Sequence, residues 1–108
     1  MIKLSISPEA GDDLSEIKEY ITHELANPTA GINTVAMITK QIRTLREFPD
    51  LGAPLSSTID IDTDYRFLVC GNYTAFYRHV NDVVYVNRIL YNRRNFMKIL
   101  FGAVEPSP

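Results

Sequence analysis

The chain has 108 residues, 45% of them hydrophobic and 22% charged, room for one domain when domains typically run about 100–150 residues. That composition excludes wholesale disorder and a coiled coil, and the single cysteine, Cys70, excludes a disulfide framework and a cysteine-built zinc site. No apolar run reaches the ~20 residues of a membrane helix, and the opening Met1 to Ser5 lacks the apolar core of a signal peptide, so a cytoplasmic protein with no membrane partner is expected.

The net charge of −2 conceals a division. Residues 1–64 hold 5 Lys/Arg against 11 Asp/Glu, and residues 65–108 hold 6 against 2. Nine of the eleven aromatic residues also follow position 64, so the basic part is the aromatic part. Such asymmetry hints at a polyanionic partner; the plain alternative is that sheets favour aromatics and surfaces favour charges.

The predicted elements follow in order. Ile2, Leu4 and Ile6 alternate as a half-buried strand requires. Ser7-Pro8-Glu9 then places an N-cap before a proline at the first helical position, with Glu9, Asp12 and Asp13 at the positive end of the helix dipole. Leu14, Ile17, Ile21 and Leu25 form the buried stripe of this helix, with Glu16, Glu19 and Glu24 on its solvated side. Asn27-Pro28 repeats the cap signal, and Val35, Ile38, Ile42 and Leu45 give a second stripe that ends at Phe48-Pro49. Residues 56–64, polar and acidic, are expected to be loop or a weak edge strand.

From residue 65 the chain becomes β-branched and aromatic, punctuated by Gly71-Asn72 and Asn81-Asp82. Two-residue turns join antiparallel neighbours, so residues 65–70, 73–80 and 83–90 are expected to form a meander. Phe96, Met97, Leu100 and Phe101 predict a short closing helix. The expected fold is α+β: an N-terminal strand, an α-helical hairpin, a three-stranded antiparallel meander and a short C-terminal helix. One domain spans residues 1–102, and residues 103–108, with two prolines, are expected to be a flexible tail.

Several residue strings in that order carry a family resemblance. Phe76-Tyr77-Arg78 on the middle strand and Val86-Asn87-Arg88-Ile89-Leu90-Tyr91-Asn92-Arg93-Arg94 at the last resemble the RelE/ParE toxins of bacterial type II toxin–antitoxin (plasmid-stabilisation) modules. Phe48-Pro49-Asp50-Leu51-Gly52 and the Ser7-Pro8-Glu9-Ala10 opening are similar to this family too. The resemblance implies a sheet with helices on one face, a cognate antitoxin as partner, and one of two targets. One branch cleaves mRNA in the ribosomal A site, as a metal-independent endoribonuclease; the other poisons DNA gyrase.

For RNA cleavage the resemblance implies Arg66, Tyr91 and Arg93 as the catalytic set, but Leu68 and Thr74 stand where RelE-type members carry a lysine and an arginine. The ParE-like branch fits better: a growth inhibitor acting on gyrase, with Arg78, Arg88, Arg93 and Arg94 as target-binding residues. A member that binds its partner and does nothing more is the further alternative.

Alternation groups Arg66 with Leu68 and Cys70, Arg78 with Phe76 and Val80, and Arg88 with Val86 and Leu90. If the three arginines meet on one face they form a surface for phosphates or an acidic target; otherwise they are exposed sheet arginines paired with Asp or Glu. Arg93 and Arg94 repel one another unless an anion is near. Tyr73, Tyr77 and Tyr85 read as sheet packing, whereas Tyr91 ends its strand beside the basic pair. His23 and His79 lie far apart with no metal-ligand spacing, Asp60, Asp62 and Asp64 lack the glycine and distal glutamate of a calcium loop, and Cys70 has no base beside it. No cofactor and no metal are expected.

Overall fold

The structure, a computed structural model, describes residues 2–92 and 94–102. Strand β1 (Lys3–Ile6) leads into helix α1 (Pro8–His23), and α2 (Pro28–Arg43) continues into a 3-10 turn at Thr44–Arg46. A two-residue strand β2 (Ala53–Pro54) and a second 3-10 turn at Leu55–Ser57 precede the meander β3 (Arg66–Cys70), β4 (Tyr73–Val80) and β5 (Val83–Tyr91). Helix α3 (Phe96–Phe101) closes the described chain. Both long helices begin as expected: the Ser7 hydroxyl accepts from the Ala10 N–H at 3.0 Å, the Asn27 side chain accepts from Ala30 N–H at 3.0 Å, and each is followed by its proline. Residues 56–64 contribute no strand; the edge strand is the earlier Ala53–Pro54.

The five strands lie in the order β1-β5-β4-β3-β2. All pairings are antiparallel except β1 with β5, which is parallel, Lys3 opposite Val83 to Ile6 opposite Val86. A parallel neighbour needs a crossover, and here the helical hairpin and the first strands of the meander supply it. The main core lies between this hairpin and one sheet face, with Ile17, Ile21, Ile38, Ile42, Ala75, Tyr77, Val84, Val86 and Ile89 buried together. Leu25, expected in the α1 stripe, is 58% exposed, because the helix stops at His23 and the chain turns through Ala26 at φ +50°.

A second core lies on the opposite face, where Leu55, Phe76 and Leu90 are buried beneath Phe96, Ile99, Leu100 and Phe101 of α3. Phe96 stacks on Phe76 at 5.2 Å, and Phe101 meets Tyr65 edge-on at 5.7 Å. The helices therefore cover both faces, not one. A six-residue helix has too few internal hydrogen bonds to stand alone, so this aromatic seat holds α3 in place.

The register of β5 departs from simple alternation. Phe76 opposes Arg88 while Tyr77 opposes Val86, which leaves Asn87 as a bulge. The bulge reverses parity, so Val86 and Ile89 share the helix-side core while Leu90 enters the other. Arg88 accordingly does not share a face with both Val86 and Leu90.

Beyond Val86, β1 no longer covers the edge of β5, and the start of α1 takes over. Ser7 N–H donates to Val86 O (3.0 Å), the Ser7 hydroxyl donates to Asn87 O (2.7 Å), and Ile89 N–H donates to Asp13 Oδ2 (2.9 Å). Arg88 completes the joint with two hydrogen bonds of 2.8 Å to the Asp13 carboxylate. Asp13, with its side chain 7% exposed, therefore stands among apolar α1 positions yet has both carboxylate oxygens hydrogen-bonded, Oδ2 twice and Oδ1 once.

The Phe48 to Gly52 string forms a second joint. The Tyr77 hydroxyl, fully buried, donates to Pro49 O at 2.8 Å and accepts from Gly52 N–H at 2.9 Å. Arg66 donates to Gly52 O (3.0 Å) and Asp50 O (3.2 Å), and His79 Nδ1 lies 3.1 Å from Asp50 Oδ1. Burial, partly offset by the Gly52 hydrogen bond and Arg66, raises the pKa of the Tyr77 phenol, so it stays a neutral donor.

Two outcomes follow for stability. Asp13→Asn leaves Arg88 without its anion in a half-buried site and costs about 3 kcal/mol, whereas Asp64→Asn, removing an exposed partner of Arg78, costs under about 1 kcal/mol; urea unfolding of the two variants measures the contrast. Gly52→Ala puts a Cβ 2.6 Å from Phe67 O and 2.7 Å from the Tyr77 ring and hydroxyl, so its melting temperature falls by several degrees, as expected for ~1–3 kcal/mol of overpacking.

Candidate functional site

The sheet arginines are distributed rather than clustered. Arg66 opposes Tyr77, which puts the next β4 residue, Arg78, on the other face of the sheet. Arg78 holds Asp64 through two bonds of 2.8 and 2.7 Å, and Arg88 is turned to the sheet edge by the bulge and held by Asp13. Arg66 faces the carbonyls of the Pro49 to Gly52 loop, with the Asp50 carboxylate 4.0 Å away. Each of the three is thus matched to an aspartate from the acidic part of the chain, Asp50, Asp64 or Asp13.

Asp64, held chiefly by its hydrogen bonds from Arg78, has its pKa lowered. Its pair therefore adds stability above the ordinary carboxylate range and loses it as pH falls through that lowered value. Exposure to solvent keeps the contribution small. The aspartate run at Asp60, Asp62 and Asp64 thereby acquires a structural member, and no cluster arranged to hold a metal occurs among the described residues. Cys70 is buried beneath the β3–β4 turn, and burial pushes its thiol up to about 11, so it is no nucleophile at neutral pH.

The end of β5 and its following turn are built differently. Tyr91 opposes Tyr73, and the two rings meet edge-on at 5.7 Å. The turn closes through Arg94 N–H to Tyr91 O (2.9 Å), and Phe96 N–H donates to Arg94 O (2.9 Å). Asn92 fixes the turn to the neighbouring hairpin: its N–H donates to Asn72 O (2.9 Å), its side-chain amide donates to Gly71 O (3.1 Å), and its carbonyl accepts from Thr74 Oγ1 at 2.6 Å.

This turn separates two hollows. A cleft of about 870 Å³ opens between the helical hairpin and the sheet end, lined by Ile17, Tyr20, Ile21, Met37, Tyr73 and Tyr91 among others, with Asp13, Glu16, Thr34, Asn72 and Arg94 as polar members. A smaller hollow of about 150 Å³ lies against Leu55, Phe67, Phe76 and Phe96, and Tyr91, Asn92 and Arg94 line it as well. Tyr91 and Arg94 are therefore brought together at one end of the sheet, and Arg94 makes no ion pair among the described residues. Arg93, expected in the same cluster, lies outside the described residues, as do residues 103–108.

Arg66 is far from this turn. On β4 its partner Tyr77 stands four residues from Tyr73, about 13 Å along the strand, with a further lateral step of about 10 Å from β3 to β5. Arg66 and Tyr91 are therefore not brought to one point by the described backbone.

Sequence reasoning missed Asp13, the Asn87 bulge and the Thr74–Asn92 link. A signal for Asp13 was present: Ala10, Asp13, Ile17 and Ile21 follow one helical stripe, and a carboxylate on such a stripe demands a cationic partner. The bulge and the Thr74–Asn92 link depend on strand register and had no comparable signal.

Comparison with known proteins agrees with the fold and extends it. The family described as ParE toxin of type II toxin-antitoxin system, parDE, matches residues 4–96. Among solved structures, the chromosomal ParDE toxin–antitoxin system from P. aeruginosa superposes with a TM-score of 0.72 at 22% identity, covering 84% of this chain and 96% of that one. YafQ from E. coli and a mutant of it superpose with TM-scores of 0.51 and 0.53, each at 14% identity over 94% of this chain and all of theirs. None of the curated proteins matches significantly. With a family match spanning nearly the whole described chain, from β1 to the start of α3, this protein belongs to the ParE toxin family of type II toxin–antitoxin systems.

Proposed function

We propose that the chain is a growth-inhibiting toxin that acts on DNA gyrase in the cytoplasm and is neutralised by a cognate antitoxin. The observation that carries this reading is the Tyr91 to Arg94 turn. Of the arginines placed in the basic part of the chain, Arg66, Arg78 and Arg88 are matched to aspartates, and Arg94 has no acidic partner among the described residues. An arginine beside an aromatic ring and two apolar hollows offers a planar charge, a stacking face and anchoring pockets to a macromolecular target. Arg93, adjacent to Arg94 in sequence, is kept as a second target-binding residue on the ground of its charge alone.

The antitoxin fits the 870 Å³ cleft, whose apolar floor and exposed Tyr20 and Tyr91 suit an amphipathic segment. Its seating there covers Arg94 on the shared wall, which accounts for neutralisation by occlusion of the acting surface.

The ribosome-dependent RNase reading is less well supported. It needs a base, cations and an acid around one phosphate, and Arg66 is turned to the loop carbonyls of Asp50 and Gly52 at the far end of the sheet.

Induced expression of the folded protein is expected to arrest growth, with broken chromosomal DNA and intact mRNA, and co-expression of the antitoxin is expected to restore growth. Primer extension showing mRNA cut within translated codons would overturn the gyrase target in favour of the ribosome. Unaffected growth with a verified folded product would overturn the toxin reading altogether.

A further inference from the structure

We propose that Thr74 is a positioning residue that sets the Tyr91 to Arg94 turn through the side chain of Asn92. The proposal rests on the reading of Arg94 as the target-contacting cation and names what holds it in place. Thr74 is a hydroxyl at 9% exposure on the β4 face that otherwise presents Phe76 to the apolar second core. A buried hydroxyl needs a partner. Its partner is the exposed Asn92, at 2.6 Å, the shortest hydrogen bond between two uncharged side chains among the described residues.

Asn92 is well chosen as an intermediary. Its carbonyl is held by Thr74 and its amide by Gly71 O, so the orientation of the group is specified at both ends, while its backbone N–H is held by Asn72. Gly71, at φ +64°, forms the β3–β4 turn that supplies both acceptors, the carbonyls of Gly71 and Asn72. Two residues on, Arg94 N–H closes the turn on Tyr91 O. Arginine loses substantial side-chain entropy when it binds, and a turn already fixed on the sheet spares the target the further cost of ordering backbone. Without the Thr74 bond, the Asn92 carbonyl turns to water and its side chain is held at one end only, by the amide on Gly71 O.

Thr74→Val keeps the β-branched shape and removes the hydroxyl; Thr74→Ser keeps the hydroxyl. The first measurement is amide hydrogen exchange, which needs no target. In Thr74→Val the Asn92 and Arg94 amides are expected to exchange roughly tenfold faster, the order of one hydrogen bond's net contribution, while Ala75 and Val86 are unchanged and Thr74→Ser matches the parent. The second is inhibition of plasmid supercoiling by purified DNA gyrase. Thr74→Val is expected to raise the inhibitory concentration by about tenfold, Thr74→Ser by less than about twofold, and adding Thr74→Val to Arg94→Ala is expected to cause no further loss, because the hydroxyl acts through Arg94.

Unchanged exchange at Asn92 and Arg94 overturns the proposal. So does a full additional loss on the Arg94→Ala background, which marks a general structural role. A parent protein that leaves gyrase active overturns the underlying functional reading instead, and the exchange result still decides whether Thr74 holds the turn.

Discussion

The carboxylate of Asp13 is the contact on which the layers of this protein depend. β1 is only four residues long and leaves the edge of β5 uncovered from Asn87 onward. An open strand edge presents unpaired N–H and C=O groups, and here α1 supplies the missing partners from side chains, Ser7 for the Asn87 carbonyl and Asp13 for the Ile89 amide. The same carboxylate binds Arg88, so one residue joins helix, strand edge and arginine. The Asn87 bulge belongs to this arrangement: it brings Arg88 to the edge while keeping Val84, Val86 and Ile89 in one core.

The joint changes the meaning of the charge division. An acidic first part and a basic second part suggest a surface for a polyanion, yet Asp13, Asp50 and Asp64 of the first meet Arg88, Arg66 and Arg78 of the second. Opposite charge at the two ends of the sequence serves largely to bring the helices and loops onto the sheet. What is left for a partner is local: the turn after β5, where Tyr91 and Arg94 stand between a cleft on one face and a hollow on the other. In the function proposed above, the same sheet end receives both the target and the protein that masks it.

Much of the fold was legible because its signals are local. Ser7-Pro8 and Asn27-Pro28 mark helix starts by capping chemistry, and the Gly71-Asn72 and Asn81-Asp82 turns mark the meander, so the boundaries at Tyr73, Val80 and Val83 follow from short-range geometry. The parallel pairing of β1 and the placement of α3 on the opposite face are long-range choices with no local signal. The site was half legible: Tyr91 and Arg94 were singled out by position, but alternation could not tell that Arg88 is turned to the edge, since one bulged residue reverses every later side chain. The Phe48 to Gly52 string, a family trait in the sequence, proves to be the loop clasped by Tyr77, Arg66 and His79.

The central claim is that this family member acts through the turn after β5 and not through the arginines of the sheet. Growth inhibition by folded Arg94→Ala, set beside folded Arg78→Ala at equal expression, tests it most directly. The account predicts that Arg94→Ala largely abolishes inhibition while Arg78→Ala retains it, since Arg78 serves an exposed pair with Asp64. Loss with Arg78→Ala and retention with Arg94→Ala would contradict it.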